Sequence, residues 1–243
     1  MSCIITCPPY MIEPMQGGEI LCTLKGIEKR YFSKGEPVLG PLDLTVRSGE
    51  ILGLRGHNGA GKSTLLGVIA GTIRPTAGSR QLAPQVRGRI GYVPQELSLY
   101  ECLTGLANLR FWGLACGLPS RIIGRRSRWL LKQMELEDKG RQPVRFYSGG
   151  MKRRLHLASA LMVTPALLLL DEPTVGADVH SADLICKMLE HVRDQGSGVI
   201  LVSHQAGELE RVCDRILTLQ DGIPVGEEEK GNALVKETFP LLK

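Results

Sequence analysis

Gly56, Gly61, Lys62 and Ser63 stand at the spacing Gly-x-x-x-x-Gly-Lys-Ser, within the stretch GHNGAGKS. That pattern suits a polyphosphate. The glycines let consecutive main-chain N–H groups turn inward around a phosphate, and a helix opening at the lysine adds the positive end of its dipole. Lys62 is then expected to reach the β- and γ-phosphates, and the Ser63 hydroxyl to ligate Mg²⁺. Downstream, LLLLDEP places Asp171 and Glu172 after a run of bulky residues. There Asp171 would hold Mg²⁺ through water, and Glu172 would polarise a water in line with the γ-phosphate. Paired acids after a strand also serve as helix caps, so the upstream phosphate loop is what favours chemistry. A second glycine pair lies in FYSGGMKRRL, from Phe146 to Leu155. Ser148 is a good N-cap, and Gly149 and Gly150 leave the amides of the following helix open to an anion, although an isolated Ser-Gly-Gly also reads as an ordinary helix start.

These residues need a scaffold, and the apolar pattern supplies one. LDLTV (42–46) alternates apolar and polar residues, and ILGL (51–54) is a buried strand leading into the phosphate loop. A helical pattern follows through KSTLLGVIAG and stops at Gly71, and RIGYV (89–93) is a short strand closed by Pro94. From Leu103 to Leu136 the period is helical, with breaks at 117–119 and 137–140, which reads as an inserted helical lobe. The βα rhythm then resumes: a helix from Ser148 to about Met162, strand 166–170, helix 179–192, strand 198–203, helix 206–213 and strand 215–219. Continuous apolar strands alternating with helices imply a mostly parallel sheet buried on both faces, an α/β fold. GEEEKG (226–231) reads as a solvated tail.

Composition limits the alternatives. With 243 residues, 43% hydrophobic and 23% charged, the chain reads as a soluble globular fold of one large core, or one core with an inserted lobe. A net charge of +5 spread along the chain, with 5% aromatics, is unlike a nucleic-acid surface and fits polyphosphates or a lipid face. Seven scattered cysteines without a Cys-x-x-Cys pair argue against a disulfide framework or a zinc site. The N-terminal segment lacks the basic start of a signal peptide and reads as a loose leader. The most apolar window, 160–170, contains Pro165 and ends in acids, so a membrane part would have to come from another chain.

Taken together, these elements resemble the nucleotide-binding subunit of ABC transporters, from about Lys29 to Gly222. The resemblance implies a P-loop NTPase core with an N-terminal antiparallel β part and an inserted α-helical subdomain at about 97–163. The domain would span 19–225, between a leader (1–18) and a C-terminal tail (226–243). YSGGM is similar to the family's signature motif, with Tyr147 and Met151 where the commonest form has Leu and Gln. In that family the signature loop closes over the ATP of a second subunit packed head to tail, which would explain two glycine motifs in one chain. The likeness assigns nucleotide binding to Gly56, Asn58, Gly59, Ala60, Gly61, Lys62, Ser63 and Thr64, and across the dimer to Ser148, Gly149 and Gly150. It makes Tyr31 the adenine-stacking aromatic, with Phe32 beside it as the alternative. Gln95 becomes a Mg²⁺ contact joining core to lobe, and His204 a switch histidine near the γ-phosphate and Glu172. Asp178 falls in the loop that crosses the interface, where Ala177 replaces a usual leucine. His57, His156, His180 and His191 read as surface or packed residues, Arg121, Arg125, Arg126 and Arg128 as the lobe's solvated face, and Arg55 has no assigned role.

The resemblance implies an ATPase using ATP and Mg²⁺, paired with itself or another ATPase subunit. It would work on a separately encoded membrane permease at the inner face of the cell membrane, with export the expected direction and no nucleic-acid partner. An ABC-type translation factor would carry two cassettes and a charged linker, and a chromosome-organising head would carry a long coiled coil. An importer ATPase is the nearest rival, favouring LSGGQ and a C-terminal regulatory domain.

Overall fold

A computed structural model describes residues 17–32, 35–205, 207–230 and, for the backbone alone, 232–235. The expected leader lies almost entirely outside the described residues, as do the last eight residues of the expected tail. The chain forms a seven-stranded sheet, a three-stranded antiparallel sheet and a helical lobe.

The larger sheet is built on β3 (Ile51–Arg55), β5 (Ile90–Val93), β6 (Leu167–Asp171), β7 (Gly198–Val202) and β8 (Arg215–Gln220). They pair in parallel in the order β8, β3, β7, β6, β5. Their sequences read as unbroken apolar runs because both faces are covered. Leu167 and Leu169 enter one core, with α1 (Lys62–Ala70) and the smaller sheet, while Leu168 and Leu170 enter the other, with the helical lobe and α5 (Val179–Asp194). Each fully buried leucine contributes about 1.5–3 kcal/mol of transfer free energy. The smaller sheet joins β1 (Ile20–Lys29) to β2 (Leu39–Arg47) and to β4 (Ala77–Leu82). β4, AGSRQL, has no fully buried residue and no apolar alternation, so its ladder with β1 defines it rather than its own pattern.

The lobe contains α2 (Gly105–Ala115), α3 (Ser120–Gln133) and α4 (Gly149–Ala160), as the breaks in the helical period predict. Ser148 caps α4 by accepting the Met151 N–H at 3.2 Å. On α4, His156 is 3% exposed and its Nε2 accepts the Ser98 N–H at 3.3 Å. Burial, aided by the Arg153 charge, pushes its pKa down to about 4. A histidine that stays neutral when folded but takes a proton near pH 6.5 when unfolded favours the unfolded state at lower pH. Its stabilising contribution is complete above pH 6.5 and is lost as pH falls toward 4, by up to about 3 kcal/mol. Urea unfolding at pH 7 and pH 5 should show a drop in midpoint that His156→Gln reduces; an equal drop in both would refute the assignment.

The expected solvated tail is a correction. Residues 226–229 belong to β9 (Ile223–Glu229), which turns back at Asp221-Gly222 and pairs antiparallel with β8. A further strand, β10 (Asn232–Val235), pairs with β9, so the sheet continues past residue 225. The three glutamates obscured the strand because two of them are supported by tertiary partners. Glu227 meets Arg215 at 2.5 Å, and Glu228 meets Arg55 at 3.1 Å.

Candidate nucleotide site

Parallel strands end on one edge of their sheet, and four adjacent strands deliver the predicted residues there. β3 leads into the phosphate loop, β5 into Gln95, β6 ends at Asp171 with Glu172 next, and β7 leads to Ser203 and His204. A cavity of about 690 Å³ opens over this edge. Its walls include Asn58, Gly59, Gly61, Lys62, Ser63, Thr64, Gln95, Asp171, Glu172 and His204, drawn from segments more than a hundred residues apart.

The loop's geometry suits an anion. α1 starts after Gly61, whose φ is 91° and which offers no side chain to cap the first turn. A Cβ there would lie 2.7 Å from the Val38 carbonyl oxygen, so the position requires glycine. The uncapped first-turn amides and the helix dipole therefore face the cavity. Lys62, 5% exposed, donates to the carbonyl oxygens of Gly56 at 2.7 Å and His57 at 2.8 Å. Burial lowers its pKa, and the nearby Glu172 and Asp171 oppose that shift by favouring the ammonium.

Glu172 sits at the centre. Gln95 Nε2 donates to its Oε2 at 2.9 Å, and His204 Nε2 lies 3.0 Å from its Oε1. Its backbone adopts φ 51°, uncommon for a side-chain-bearing residue, and its N–H bonds the Val202 carbonyl at 3.0 Å. Strained backbone of this kind persists where surrounding contacts over-determine it.

For Mg²⁺, the oxygens of Ser63, Gln95 and Asp171 form a hard donor set with one carboxylate. Among the described residues no cluster of three His, Cys, Asp or Glu side chains could hold a metal alone. Mg²⁺ is usually held by one or two carboxylates together with substrate phosphates and water, and the set present fits that mode.

Tyr31 and the signature residues lie outside the cavity walls. Tyr31 is 54% exposed, with its hydroxyl 3.5 Å from Thr64 Oγ1 and the Lys29 ammonium 5.1 Å from its ring centre, while Phe32 is 80% exposed. Gly56 lies in the phosphate loop facing a second cavity, and Ala60 is buried in the core. Gly149 and Gly150 pack instead beside the Asp178 loop. Asp178 caps α5 through the Ser181 N–H at 2.9 Å, and hydrogen bonds from Ser181 hold its carboxyl below the usual range. A Cβ on Gly150 would fall 2.3 Å from Asp178 Oδ2, so these two predicted site residues are neighbours within one chain.

Two arginine contacts near the site have no signal in the sequence. Arg153 on α4 donates to the Gln95 carbonyl at 2.6 Å and to the Val175 carbonyl at 3.0 Å, tying the lobe to the Gln95 loop and to the loop that carries Glu172. Nothing local marks it out among Lys152, Arg153 and Arg154. Arg55, unassigned from sequence, bridges Glu210 at 2.5 Å and Glu228 at 3.1 Å, joining the strand before the phosphate loop to α6 (Glu208–Val212) and β9.

The ABC transporter family model matches residues 39–175. The linearmycin resistance ATP-binding protein LnrL of Bacillus subtilis (strain 168) is 36% identical over 206 residues, covering 82% of this chain and 66% of that protein. The Nod factor export ATP-binding protein I of Ralstonia nicotianae (strain ATCC BAA-1114 / GMI1000) is 35% identical over 232 residues, covering 92% and 72%. The chain thus spans roughly two-thirds of the length of the first of these relatives and somewhat more of the second. Among solved structures, the dimeric post-hydrolysis state of the ATP-binding cassette MJ0796 bound to ADP and Pi superposes with a TM-score of 0.78 at 27% identity, covering 88% of this chain and 100% of that one.

Proposed function

From the premise that the chain belongs to the ABC transporter family, as its ATP-binding ATPase component, we propose that it pairs head to tail over two Mg·ATP and drives a separate membrane permease in the export direction. The observation that carries this reading is the split between its two glycine motifs. The phosphate loop, Gln95, Asp171, Glu172 and His204 share one cavity, whereas Ser148, Gly149 and Gly150 lie outside its walls. The start of the signature helix, where Ser148 and Gly149 are exposed, is then placed to meet the nucleotide of a second copy. The relatives named for Nod factor export and linearmycin resistance support the direction, and the ADP- and Pi-bound dimer supports the pairing.

In this reading Lys62 and the first-turn amides of α1 hold the phosphates, and Tyr31 stacks on the base. Ser63, Gln95 and Asp171 would hold Mg²⁺, which when bound neutralises charge on the β- and γ-phosphate oxygens. Gln95 and His204 orient the Glu172 carboxylate, which takes a proton from the attacking water. Ser148, Gly149 and Gly150 complete the opposite site, and Asp178 lies where the two copies meet. Closure over ATP stabilises the paired state, and hydrolysis removes that bias.

No helix among the described residues is long and apolar enough to cross a membrane. A peripheral place on the inner membrane face therefore needs a docking surface. α2 and the loop after Gln95 expose Leu97, Tyr100, Phe111 and Leu114, and the rings of Tyr100 and Phe111 meet edge to face at 4.6 Å. A patch of this kind marks an interaction face. Co-expression with a candidate membrane permease tests the whole reading: the two should purify together, and the complex should hydrolyse ATP. Phe111→Glu should abolish co-purification while the free chain's ATPase rate stays within about twofold, because a desolvated charge opposes docking but is remote from the nucleotide. Retained co-purification would remove this face from the proposal.

A further inference from the structure

Behind the nucleotide site lies a buried ring of hydrogen bonds that the reaction scheme does not use. Glu208, the first residue of α6, is 7% exposed. Its Oε2 accepts the Thr174 hydroxyl at 3.1 Å and also the Ser203 hydroxyl. Its Oε1 accepts the Cys186 thiol at 3.6 Å. Gln205 closes the ring, donating its N–H to Ser203 Oγ and its side-chain amide to the Thr174 carbonyl, each at 3.1 Å. Thr174 and Ser203 are themselves 1% and 6% exposed.

The placement of the donors gives the ring a meaning. Thr174 lies two residues after Glu172, and Ser203 immediately precedes His204. These two loops leave adjacent strands, β6 and β7. One carboxyl oxygen thus holds both loops at the position where Glu172 and His204 stand 3.0 Å apart and where Glu172 adopts its left-handed backbone. A buried carboxyl left without donors would be costly, so three converging donors make the loop spacing close to rigid. Cys186 belongs to α5, so the ring is also braced against the core.

We propose that Glu208 is a positioning residue: through Thr174 and Ser203 it fixes the relative placement of Glu172 and His204 for water activation. This rests on the ATPase reading above. Displacement of a reacting group by about 1 Å can cost on the order of 100-fold in rate, while nucleotide affinity depends on the separate phosphate loop.

The test is a set of full-length variants assayed for phosphate release and for ATP affinity. Glu208→Ala should lower kcat about tenfold or more with the dissociation constant for ATP changed less than about twofold, the mark of an effect on the transition state alone. Glu208→Gln keeps one oxygen able to accept both hydroxyls and should stay within about threefold of the unmodified rate. In a His204→Ala background, Glu208→Ala should cost less than about threefold more, because the two act through the same geometry. Thr174→Val removes one donor at constant volume, and a several-fold loss of kcat is expected even if Glu208→Ala does not fold. Full activity in Thr174→Val, equal losses in both backgrounds, or ATP affinity falling in step with kcat would overturn the proposal. An unmodified chain with no ATP turnover, alone or with its permease, would instead overturn the functional reading on which it rests.

Discussion

Glu172→Gln is expected to lower ATP hydrolysis by about 100- to 1,000-fold while leaving ATP binding intact, the loss typical of removing a general base. The substitution keeps the size and planarity of the side chain, so the loop beyond β6 need not move. The amide cannot take a proton from water, however, and it places an N–H₂ group where Gln95 or His204 now meets a carboxylate oxygen. Lys62 and the first-turn amides are untouched, so the nucleotide should still bind and should persist unhydrolysed. A paired state bridged by ATP would then accumulate, visible as a doubled mass by light scattering with Mg·ATP and absent with Mg·ADP. A Glu172→Gln chain that hydrolyses ATP at an undiminished rate would exclude this residue as the base.

Ser148→Arg should remove the second half of the site. The long cation would occupy the space before the exposed start of α4, where a phosphate of the partner's nucleotide is expected to sit. ATP-dependent pairing should disappear and hydrolysis should fall by about 100-fold or more, an effect comparable to losing a set of preorganised donors. ATP binding by the single chain should remain within about twofold, because Ser148 is not in the cavity that holds the phosphate loop. Loss of the cap would also destabilise α4, so Ser148→Ala serves as the reference. It removes the acceptor for the Met151 N–H and should cost about 1 kcal/mol of stability without adding bulk or charge. Combining Ser148→Arg with Glu172→Gln gives the sharpest contrast. If that double variant still forms the ATP-bridged pair, the two glycine motifs do not serve opposite sites.

Much of the candidate site was legible because it is written in local chemistry. A phosphate loop needs glycine, lysine and a hydroxyl at fixed spacing, and a strand buried on both faces needs an unbroken apolar run. The positions of β3, β6, β7, α1, α4 and α5 followed within a few residues from periods and caps alone. Gln95 and His204 were identified by register within the family resemblance, since an isolated glutamine or histidine after a strand has no distinctive signal.

Other features depend on partners far away in sequence. Arg55 meets Glu210 and Glu228 across separations of 155 and 173 residues, and no local pattern announces either pairing. β9 carries three glutamates that read as solvated until Arg215 and Arg55 are placed beside two of them. Glu208 looks like a surface acid on a short helix, and only the convergence of Thr174, Ser203 and Cys186 reveals it as buried.

The sequence by itself determined which chemistry the chain could perform and where the apolar central strands β3, β6 and β7 and the helices α1, α4 and α5 would lie. Those properties follow from residue type, spacing and period, which act over a few residues. Tertiary structure alone decided that Glu172 takes a left-handed backbone, that it stands between Gln95 and His204, and that the two glycine motifs are held apart. Those properties arise where the ends of separate strands are brought side by side, and hydrogen bonds across that edge have no counterpart in the order of the chain.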